Sequence, residues 1–481
     1  MRRQESFHIT RYARTYDRTE GKFLIDIRYK VKTEVTPRTI GVAEAFGIGV
    51  DDFRQQVIYD NVTLKIGPRD IVYITGESGS GKSVLLREME KDLGAEAVNI
   101  DDVKPDQEKP IVETVGRNLD EALELLSRVG LNDAYLFVRR YRELSDGQKY
   151  RYRIARLLES PSQYWVMDEF CATLDRDTAK IVAFNIQKQA RRVGKAVIVA
   201  TTHTDLFDDL APTVHIHKGW RRRLEVNYHP NKPDEACSLT RSLRIEEGTL
   251  NDYKQLAEFH YRSGRCPSPR KVFCLKRGDE LCGVIVYSHP PPNVFGRRRV
   301  LKAEFCKLKH ELSTITRVVL HPKYRTIGLG ARLVKETLPL AGTRYVQAIA
   351  VMARYNPFFE KAGMQRVAET RGDRTLQEAV TKLGELGFKT YALASQETNL
   401  NRLRALSGEE LEKIRDVLLK VSQGYYKRLK ASGKAYVRKE EYGRFITEAS
   451  AETLAKVISR LAVLAQTKAY LIWKNPASQL T

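Results

Sequence analysis

The sequence predicts an α/β protein with two α/β units and a basic, helical C-terminal region. Three observations lead to this prediction. A short apolar strand, a glycine-rich turn and a helix follow one another within residues 71–87, and strands and helices alternate from there to residue 220. A second series of strands and helices occupies residues 241–370. Beyond residue 371 the helix signals dominate, including serine caps at Ser407 and Ser450.

Shifts in pattern along the 481-residue chain mark five segments. Domains usually contain roughly 100–200 residues, so we expect about two to four domains in a chain of this length. We predict a β-rich N-terminal extension over residues 1–45 and a first α/β domain over residues 46–220. A linker over residues 221–240 leads to a second α/β domain over residues 241–370, and a helical basic region occupies residues 371–481.

The bulk composition indicates the class of partner. The net charge of +22 favours a polyanion, with DNA or RNA first among the candidates. No apolar run approaches the length of about 18 residues that a membrane helix needs, and no apolar stretch follows the basic N-terminus. Six scattered cysteines form no closely spaced pair, so we expect reduced thiols and a cytoplasmic protein.

A phosphate-binding loop is predicted between Gly76 and Ser83. These residues read GxxxxGKS and lie between an apolar strand, Ile71–Thr75, and a helix. Glycines let successive backbone N–H groups turn towards a phosphate, the lysine reaches the β- and γ-phosphates of ATP, and the serine ligates Mg²⁺. The residues expected to bind the nucleotide here are Gly76, Ser78, Gly79, Ser80, Gly81, Lys82 and Ser83.

Two acidic residues follow another apolar strand, Tyr164–Met167. An aspartate at the carboxyl end of such a strand can hold Mg²⁺, and the next carboxylate can orient and deprotonate the attacking water. We therefore expect Asp168 to serve the metal and Glu169 to be the catalytic base.

Four further segments occur in a fixed order around these motifs. They are Gln107, Leu144–Gln148 (LSDGQ), Ala172–Asp175 and Thr201–His203. Together with the phosphate-binding loop they resemble, over residues 46–220, the ABC ATPase family, whose signature is usually LSGGQ. Asp146 replaces the first glycine of that signature.

The resemblance implies roles for individual residues. Gln107 would contact Mg²⁺ and the nucleotide, and His203 would be the catalytic switch histidine. Ser145, Gly147 and Gln148 would contact the ATP that a second copy of the chain binds. The cofactors implied are ATP and Mg²⁺, and the assembly implied is a homodimer with two composite ATP sites.

The same resemblance leaves some points open. Phe46 and Phe53 are both candidates for stacking on the adenine. The stretch 107–144 is short for a helical subdomain that docks to a permease, so no permease or membrane partner is expected. The charge of Asp146 beside the γ-phosphate of a second copy would slow hydrolysis or require an activator.

The second α/β unit carries a different set of motifs. A strand pair, Lys271–Leu275 and Leu281–Tyr287, precedes the strand Ser313–Leu320, a turn and a helix. Arg325, Gly328 and Gly330 in that turn match R/Q-x-x-G-x-G/A, and the segment Asn356–Met364 follows. This order resembles the GNAT acyltransferase fold.

That resemblance implies acetyl-CoA as a second cofactor. Arg325, Gly328, Leu329 and Gly330 would bind its pyrophosphate. Phe359 stands where many such enzymes have a tyrosine general acid, so Tyr355 is the candidate catalytic acid, with Tyr324 as an alternative. As general base, the sequence offers Glu304 and His321 without choosing between them.

These features support three hypotheses. The first is an ABC ATPase coupled to a CoA-dependent N-acyltransferase that acts on nucleic acid, at a base or an amine. The second is an ABC ATPase on DNA or RNA whose GNAT-like domain is an inactive adaptor. The third is ATP-gated acetylation of a protein or small molecule.

Overall fold

The computed structural model describes residues 8–30, 35–49, 55–131, 133–233, 236–260, 266, 268–351, 356–370, 373–434, 436–465 and 468–476.

The described part of the chain begins with a three-stranded antiparallel sheet. Its elements are β1 (His8–Asp17), β2 (Lys22–Lys30), helix α1 (Pro37–Phe46) and β3 (Gln55–Lys65). The central strand β2 pairs with both β1 and β3. Residues 1–45 are therefore not a separate extension, because Phe23 and Ile25 pack in one core with Ile74 of the next sheet.

The prediction of strands alone for residues 1–45 missed helix α1. Thr36 accepts a hydrogen bond from the backbone N–H of Thr39 at its N-terminus, and Pro37 occupies the first helical turn. Both features are helix-start signals.

A six-stranded sheet with flanking helices follows. Its elements are β4 (Ile71–Gly76), α2 (Lys82–Leu93), β5 (Ala97–Asn99), α3 (Leu119–Arg128), α4 (Ala134–Phe137), α5 (Asp146–Glu159), β6 (Tyr164–Met167), α6 (Arg176–Val193), β7 (Ala196–Ala200), α7 (Phe207–Leu210), β8 (Val214–Lys218) and β9 (Leu224–Tyr228). The strand order is β5-β6-β7-β4-β8-β9, parallel except for the antiparallel pair β8–β9. Residues 221–240 are thus not simply a linker, since they contain an edge strand of this sheet.

The next segment supplies most of a second large sheet. Its elements are β10 (Leu243–Glu247), α8 (Leu250–Leu256), β11 (Pro269–Arg277), β12 (Glu280–Ser288), α9 (Phe305–Glu311), β13 (Leu312–Leu320), α10 (Leu329–Thr337), β14 (Tyr345–Ala350), α11 (Phe358–Lys361) and β15 (Gln365–Thr370). The hairpin of β11 and β12 and the strand–turn–helix of β13 and α10 occur where the sequence predicted them.

Among the described residues after 373, six α-helices and one strand follow. They are α12 (Arg374–Glu385), α13 (Gln396–Arg404), α14 (Gly408–Leu419), α15 (Tyr426–Lys430), α16 (Lys439–Thr447), α17 (Ala451–Leu464) and β16 (Lys468–Lys474). The helices, called the helical module below, enclose their own apolar core, to which Leu376, Ile414, Tyr442 and Ile458 belong. Among the described residues, no helix is both long and apolar enough to cross a membrane.

The last strand returns to the second large sheet, whose order is β10-β11-β12-β13-β14-β16-β15. Strand β16 pairs antiparallel with both β14 and β15. The helical region predicted for residues 371–481 is therefore an insertion that ends in a sheet strand. The helix signals were local, whereas the pairing of β16 depends on residues far away in the sequence.

Internal contacts divide the chain into two compact units. One comprises residues 1–265, 272–285 and 318–333, and the other comprises residues 266–271, 286–317 and 334–481.

Within the first unit, the start of α6 is tied to the turn that follows β13. The carboxylate of Asp177 accepts a hydrogen bond from Lys323 at 2.7 Å and lies 3.0 Å from the guanidinium of Arg277. Burial alone would raise the pKa of Asp177, but the bonds from Arg277 and Lys323 outweigh it and hold the pKa below its ordinary value. The guanidinium of Arg151, on α5, donates to the backbone oxygens of Pro322 and Lys323.

We predict that Asp177→Asn destabilises this unit by about 1–3 kcal/mol, because two partly buried cations lose a shared carboxylate. Chemical denaturation at pH 7 measures the change. The matched control is Asp146→Asn, whose side chain is 78% exposed and should change stability by less than about 0.5 kcal/mol.

The pH dependence gives a second measurement of the same pair. A carboxylate with a depressed pKa stabilises the fold above its unfolded pKa of about 3.9, and that contribution is lost as the pH falls through the folded pKa. The difference between the wild type and Asp177→Asn should therefore shrink below about pH 4. Equal stability of the two proteins at pH 7 would contradict the role given to Asp177.

Candidate active site

The candidate site lies where three parallel strands of the six-stranded sheet end. Strands β6, β7 and β4 are neighbours, so their carboxyl ends lie at one edge of the sheet. A cavity of about 420 Å³ opens there. Its lining residues are Ser78, Gly79, Gly81, Lys82, Ser83, Val84, Asp168, Glu169, Ala172, Ala200, Thr201 and Thr202.

The loop between β4 and α2 needs glycine at two positions for steric reasons. At Gly76, with φ of +143°, a Cβ atom would lie 2.0 Å from the backbone oxygen of Lys218. At Gly81, with φ of +105°, it would lie 2.6 Å from Cγ2 of Ile58. The chain can therefore pass close to its neighbours and start α2 at the cavity, where the helix N-terminus favours a negative charge.

The side chain of Lys82 closes the loop on itself. Its ammonium group donates hydrogen bonds to the backbone oxygens of Gly76 and Glu77, both at 2.7 Å. The residue is only 8% exposed, and burial lowers the pKa of the ammonium group while the charge of Asp168 opposes that shift. The cation is thus held by carbonyl dipoles beside the cavity, where phosphate oxygens can replace them.

Ser83 and the acidic pair meet across the strand ends. The hydroxyl of Ser83 donates to Oδ1 of Asp168 at 3.0 Å, and the same oxygen accepts the backbone N–H of Glu169 at 3.0 Å. Glu169 has a φ of +48°, an uncommon value for a side-chain-bearing residue. This conformation follows directly on β6, and the exposed carboxylate of Glu169 lines the cavity.

These residues fit a Mg²⁺–triphosphate. A hydroxyl and a carboxylate are hard oxygen donors of the kind that Mg²⁺ prefers. The glycine cradle and the α2 N-terminus suit the phosphates, and the buried hydroxyl of Ser80 has no hydrogen-bond partner within the described part of the chain. Such an orphaned donor beside an anion-binding loop is explained by a bound phosphate.

His203 lies next to the cavity rather than in its lining, which ends at Thr202. Its backbone oxygen accepts a hydrogen bond from the hydroxyl of Tyr73, and its backbone N–H donates to Oγ1 of Thr201 at 3.2 Å. The ring Nε2 is buried, and among the described residues it has no partner. Burial and the charge of Arg176 lower the pKa of the ring, which favours the neutral imidazole.

Gln107, expected at the Mg²⁺ position, is not brought to the cavity, and Ser145 and Gly147, expected at the ATP of a second copy, lie outside it as well. Gln107 lies in an exposed loop and its amide donates to the backbone oxygen of Pro105 at 3.3 Å, so it contacts no Mg²⁺ position in this conformation. The hydroxyl of Ser145 caps α5 by accepting a hydrogen bond from the backbone N–H of Gln148. The backbone N–H of Ser145 donates in turn to the side-chain oxygen of Gln148. Gly147 lies in the first turn of the same helix, against Thr178.

The cavity also contains residues that the motifs did not single out. Thr201 and Thr202 directly precede His203, Ala172 follows the acidic pair, and Val84 follows Ser83. Their closeness in sequence to recognised motifs was the available signal.

In the second series of strands, Arg325, expected to bind a pyrophosphate, has a charged neighbour within the protein. Its side chain is buried, with 8% exposed, and one guanidinium nitrogen lies 3.7 Å from Oδ2 of Asp133. Burial lowers the pKa of Arg325, and Asp133 opposes that shift. The Asp133 carboxylate thus offsets part of the cost of burying this cation.

The neighbouring residues divide into exposed and buried positions. Gly328 is exposed, has a φ of +85° and has no atom within 4 Å of a hypothetical Cβ, whereas Leu329 is buried and Gly330 is half-buried in α10. Tyr324 is also buried and donates to Oε2 of Glu280 at 2.7 Å, so it is not a free general acid. Tyr355 lies outside the described residues.

Comparison with known proteins gives relatives for about a third of the chain. The ATP-binding export protein CcmA of cytochrome c biogenesis from Gluconobacter oxydans (strain 621H) is 29% identical over 188 residues, covering 34% of this chain and 86% of the relative. Its counterpart from Paracoccus denitrificans (strain Pd 1222) is 32% identical over 168 residues, covering 31% and 76%, respectively.

No family model matches the chain. Among solved structures, the ATP-binding cassette MJ0796 in a dimeric, post-hydrolysis state with ADP and Pi covers 36% of this chain at 20% identity, with a TM-score of 0.29, which is too low to add to the sequence relationship. The export-protein relatives, matched along most of their own length, establish that the chain belongs to the ABC ATPase family.

Proposed function

We propose that this ABC ATPase couples ATP hydrolysis to acyl transfer from a CoA thioester to an amine or base of a nucleic acid. The observation that carries the acyl-transfer part is a seven-stranded sheet in which β13 and β14 pair along only part of the length of β13. Strand β13 is followed by a turn that contains the exposed Gly328 and then by helix α10.

For the ATPase part, each residue receives a role from its position. Lys82 exchanges its carbonyl partners for phosphate oxygens, and Ser83 and Asp168 hold Mg²⁺, which when bound neutralises charge on the phosphates. Glu169 takes a proton from the attacking water, and the neutral ring of His203 hydrogen-bonds the γ-phosphate.

A second copy completes the ATP site in this proposal. Ser145 and Gly147 lie at the N-terminal end of α5 and do not line the cavity of their own subunit. Backbone N–H groups at a helix start are suited to a phosphate, so two copies arranged head to tail would each close the other's site.

Acyl transfer is supported by the early end of the pairing between β13 and β14. Their parallel pairing runs from Leu312↔Tyr345 to Ile315↔Ala348, although β13 continues to Leu320. Backbone groups without a neighbouring strand need other partners. The pantetheine arm of CoA is extended and carries amides, so it can take the place of a strand at such a gap.

The transfer needs no reactant besides the acyl-CoA and the acceptor. The nitrogen of the acceptor attacks the thioester carbonyl, the carbon–sulfur bond breaks, and the proton released by the nitrogen goes to the CoA thiolate. A backbone N–H beside the carbonyl oxygen would stabilise the charge that develops there.

Nucleic acid as acceptor is supported by one sequence segment of the helical module. Residues 420–444, called the basic segment, carry exposed cations at Lys420, Lys427, Arg428, Lys434, Arg438, Lys439 and Arg444. Tyr436, with 61% of its surface exposed, lies among them in sequence. Cations together with an exposed ring suit a phosphate backbone and its bases.

The structure removes one aromatic residue from the exposed part of that segment. Tyr426, which precedes Lys427 and Arg428 in the sequence, is buried and stacks on Tyr442 with ring centroids 3.9 Å apart. It therefore belongs to the core of the helical module.

A second candidate function is favoured by the names of the relatives, which are ATP-binding export proteins. Under this alternative the chain drives an export complex through a membrane partner. Identification of the molecules that copurify with an ATP-trapped variant separates the two, since nucleic acid supports the first function and a membrane protein supports the second.

Glu169→Gln should lower ATP hydrolysis at least about 100-fold while ATP still binds, because only proton abstraction is removed. Steady-state phosphate release and equilibrium ATP binding measure the two effects. Glu409→Gln, on α14 of the helical module with a side chain that is 83% exposed, is the control and should hydrolyse ATP as the wild type does. Hydrolysis by Glu169→Gln at the wild-type rate would refute its role.

Gly328→Trp should abolish the transfer of label from radiolabelled acetyl-CoA to nucleic acid, because an indole fills the open space at the start of α10. ATP hydrolysis serves as the control for folding and should be preserved, whereas the positive φ of Gly328 should lower the stability by about 1–2 kcal/mol. Label in the polymer despite this substitution would show that acyl-CoA binds elsewhere. Absence of label with the wild type, together with active ATP hydrolysis, would favour an inactive adaptor.

Neutralising the basic segment should weaken nucleic-acid binding in a salt-dependent way. For Lys427→Gln/Arg428→Gln, the slope of log K against log salt should fall by about 0.7–0.9 for each phosphate that the variant no longer neutralises. Arg374→Gln/Lys413→Gln is the matched control, because these exposed cations each pair with a glutamate of their own helix. Equal slopes for the two double variants would count against this surface.

A further inference from the structure

A buried tyrosine of β4 holds the turn that carries His203. Tyr73 is inaccessible to solvent, and its hydroxyl donates a hydrogen bond to the backbone oxygen of His203. Burial raises the pKa of this hydroxyl, and a hydrogen bond from the backbone N–H of Leu206 together with the charge of Arg176 offsets only part of that shift. The hydroxyl therefore stays protonated and is bonded to the turn at both His203 and Leu206.

The ring of Tyr73 is itself fixed by the neighbouring strand. In the parallel register of β4 and β8, Tyr73 is the partner of His215, and their rings stack with centroids 5.4 Å apart. Two residues further along β4, the hydroxyl of Thr75 lies 2.9 Å from Nε2 of His215 and 3.1 Å from Nδ1 of His217. One hydroxyl can donate to one imidazole and accept from the other, so it holds the His215 ring against Tyr73.

The ring of His215 also contacts the end of the turn. Phe207 begins α7 directly after Leu206 and meets this ring edge to face, with centroids 5.4 Å apart. The turn is thus bound near its start by the hydroxyl of Tyr73 and at its end by the ring of His215. A change in the stacked pair must therefore alter the position of the turn.

We propose that Tyr73 is a positioning residue for ATP hydrolysis and acts through His203. This inference rests on the role given to His203 in the proposed function. Tyr73 does not line the cavity, so its effect on the reaction passes through the turn. The buried Nε2 of His203, which no described residue bonds, must be aimed at the γ-phosphate by its backbone. Misplacement of a catalytic group by about 1 Å can lower a rate about 100-fold.

Tyr73→Phe removes the hydroxyl and keeps the ring. We expect kcat for ATP hydrolysis to fall about tenfold, because the turn loses two hydrogen bonds. The Kd for ATP should keep its wild-type value, because the residues that line the cavity are unchanged. Steady-state phosphate release and calorimetric titration with ATP, both on the full chain, measure the two quantities.

Tyr442→Phe is the matched control for the loss of a buried hydroxyl. Tyr442 is also inaccessible to solvent, and its hydroxyl donates to the backbone oxygen of Leu418 at 3.3 Å in the core of the helical module. Both variants should keep the circular dichroism spectrum of the wild type, whereas slow hydrolysis is expected for Tyr73→Phe alone.

A double-mutant cycle separates a positioning role from a purely structural one. His203→Ala should hydrolyse ATP slowly, and adding Tyr73→Phe to it should lower kcat no further, because no imidazole is left to position. A tyrosine that stabilised only the fold would have the same effect in both backgrounds.

Thr75→Val is a second variant, which leaves the hydroxyl of Tyr73 in place. It removes the bridge between the two imidazoles and should lower kcat by a smaller factor of about three, with the Kd for ATP unchanged. This effect should also disappear in the His203→Ala background.

The outcomes that would overturn the inference alone all assume that His203→Ala is slow. They are a wild-type kcat in Tyr73→Phe, a tenfold effect of Tyr73→Phe that persists in the His203→Ala background, and a loss of ATP affinity equal to the loss of kcat. Hydrolysis by His203→Ala at the wild-type rate would instead overturn the role of His203 in the proposed function, and the inference with it.

Discussion

The parallel pairing of β6, β7 and β4 is the constraint on which the candidate site depends. Because the three strands run in one direction, their ends bring residues distant in sequence to the same edge of the sheet, and a hydrogen bond of 3.0 Å joins Ser83 to Asp168. A shift of one register step in β6 would turn Asp168 to the other face and remove the metal site. The buried strands therefore fix the chemistry more firmly than the loop does.

A second set of bonds joins this site to the turn before α10. Arg151 lies on the helix that the signature opens, and Asp177 lies at the start of the helix that follows the acidic pair. Arg151 donates to two carbonyl oxygens of the turn, and Asp177 forms an ion pair with Lys323. Since each bond loses strength within an ångström, a rotation of either helix must move the turn with it or break these bonds. A movement of α5 or α6 on ATP binding would therefore also displace the turn that contains Gly328.

The local features of the chain were predictable from the sequence, and the long-range ones were not. The glycine loop, the acidic pair and the serine caps at Ser407 and Ser450 each have a signal within a few residues, and all occur as expected in the fold. The burial of Arg325 against Asp133 and the return of β16 depend on the tertiary structure, for which a short motif carries no information.

The position of the helical module in the chain has a mechanical consequence. Its helices are inserted between β15 and β16, and β16 is bonded to both β14 and β15. A force applied to the basic segment would therefore act, through the core of the module, on strand β16. This strand is hydrogen-bonded to a neighbouring strand on each side and is not a free tail. The strand β14, whose pairing with β13 stops at Ala348, is a neighbour of that strand. In the proposed function, binding of a polyanion to the module would therefore act on the strand next to the gap assigned to acyl-CoA.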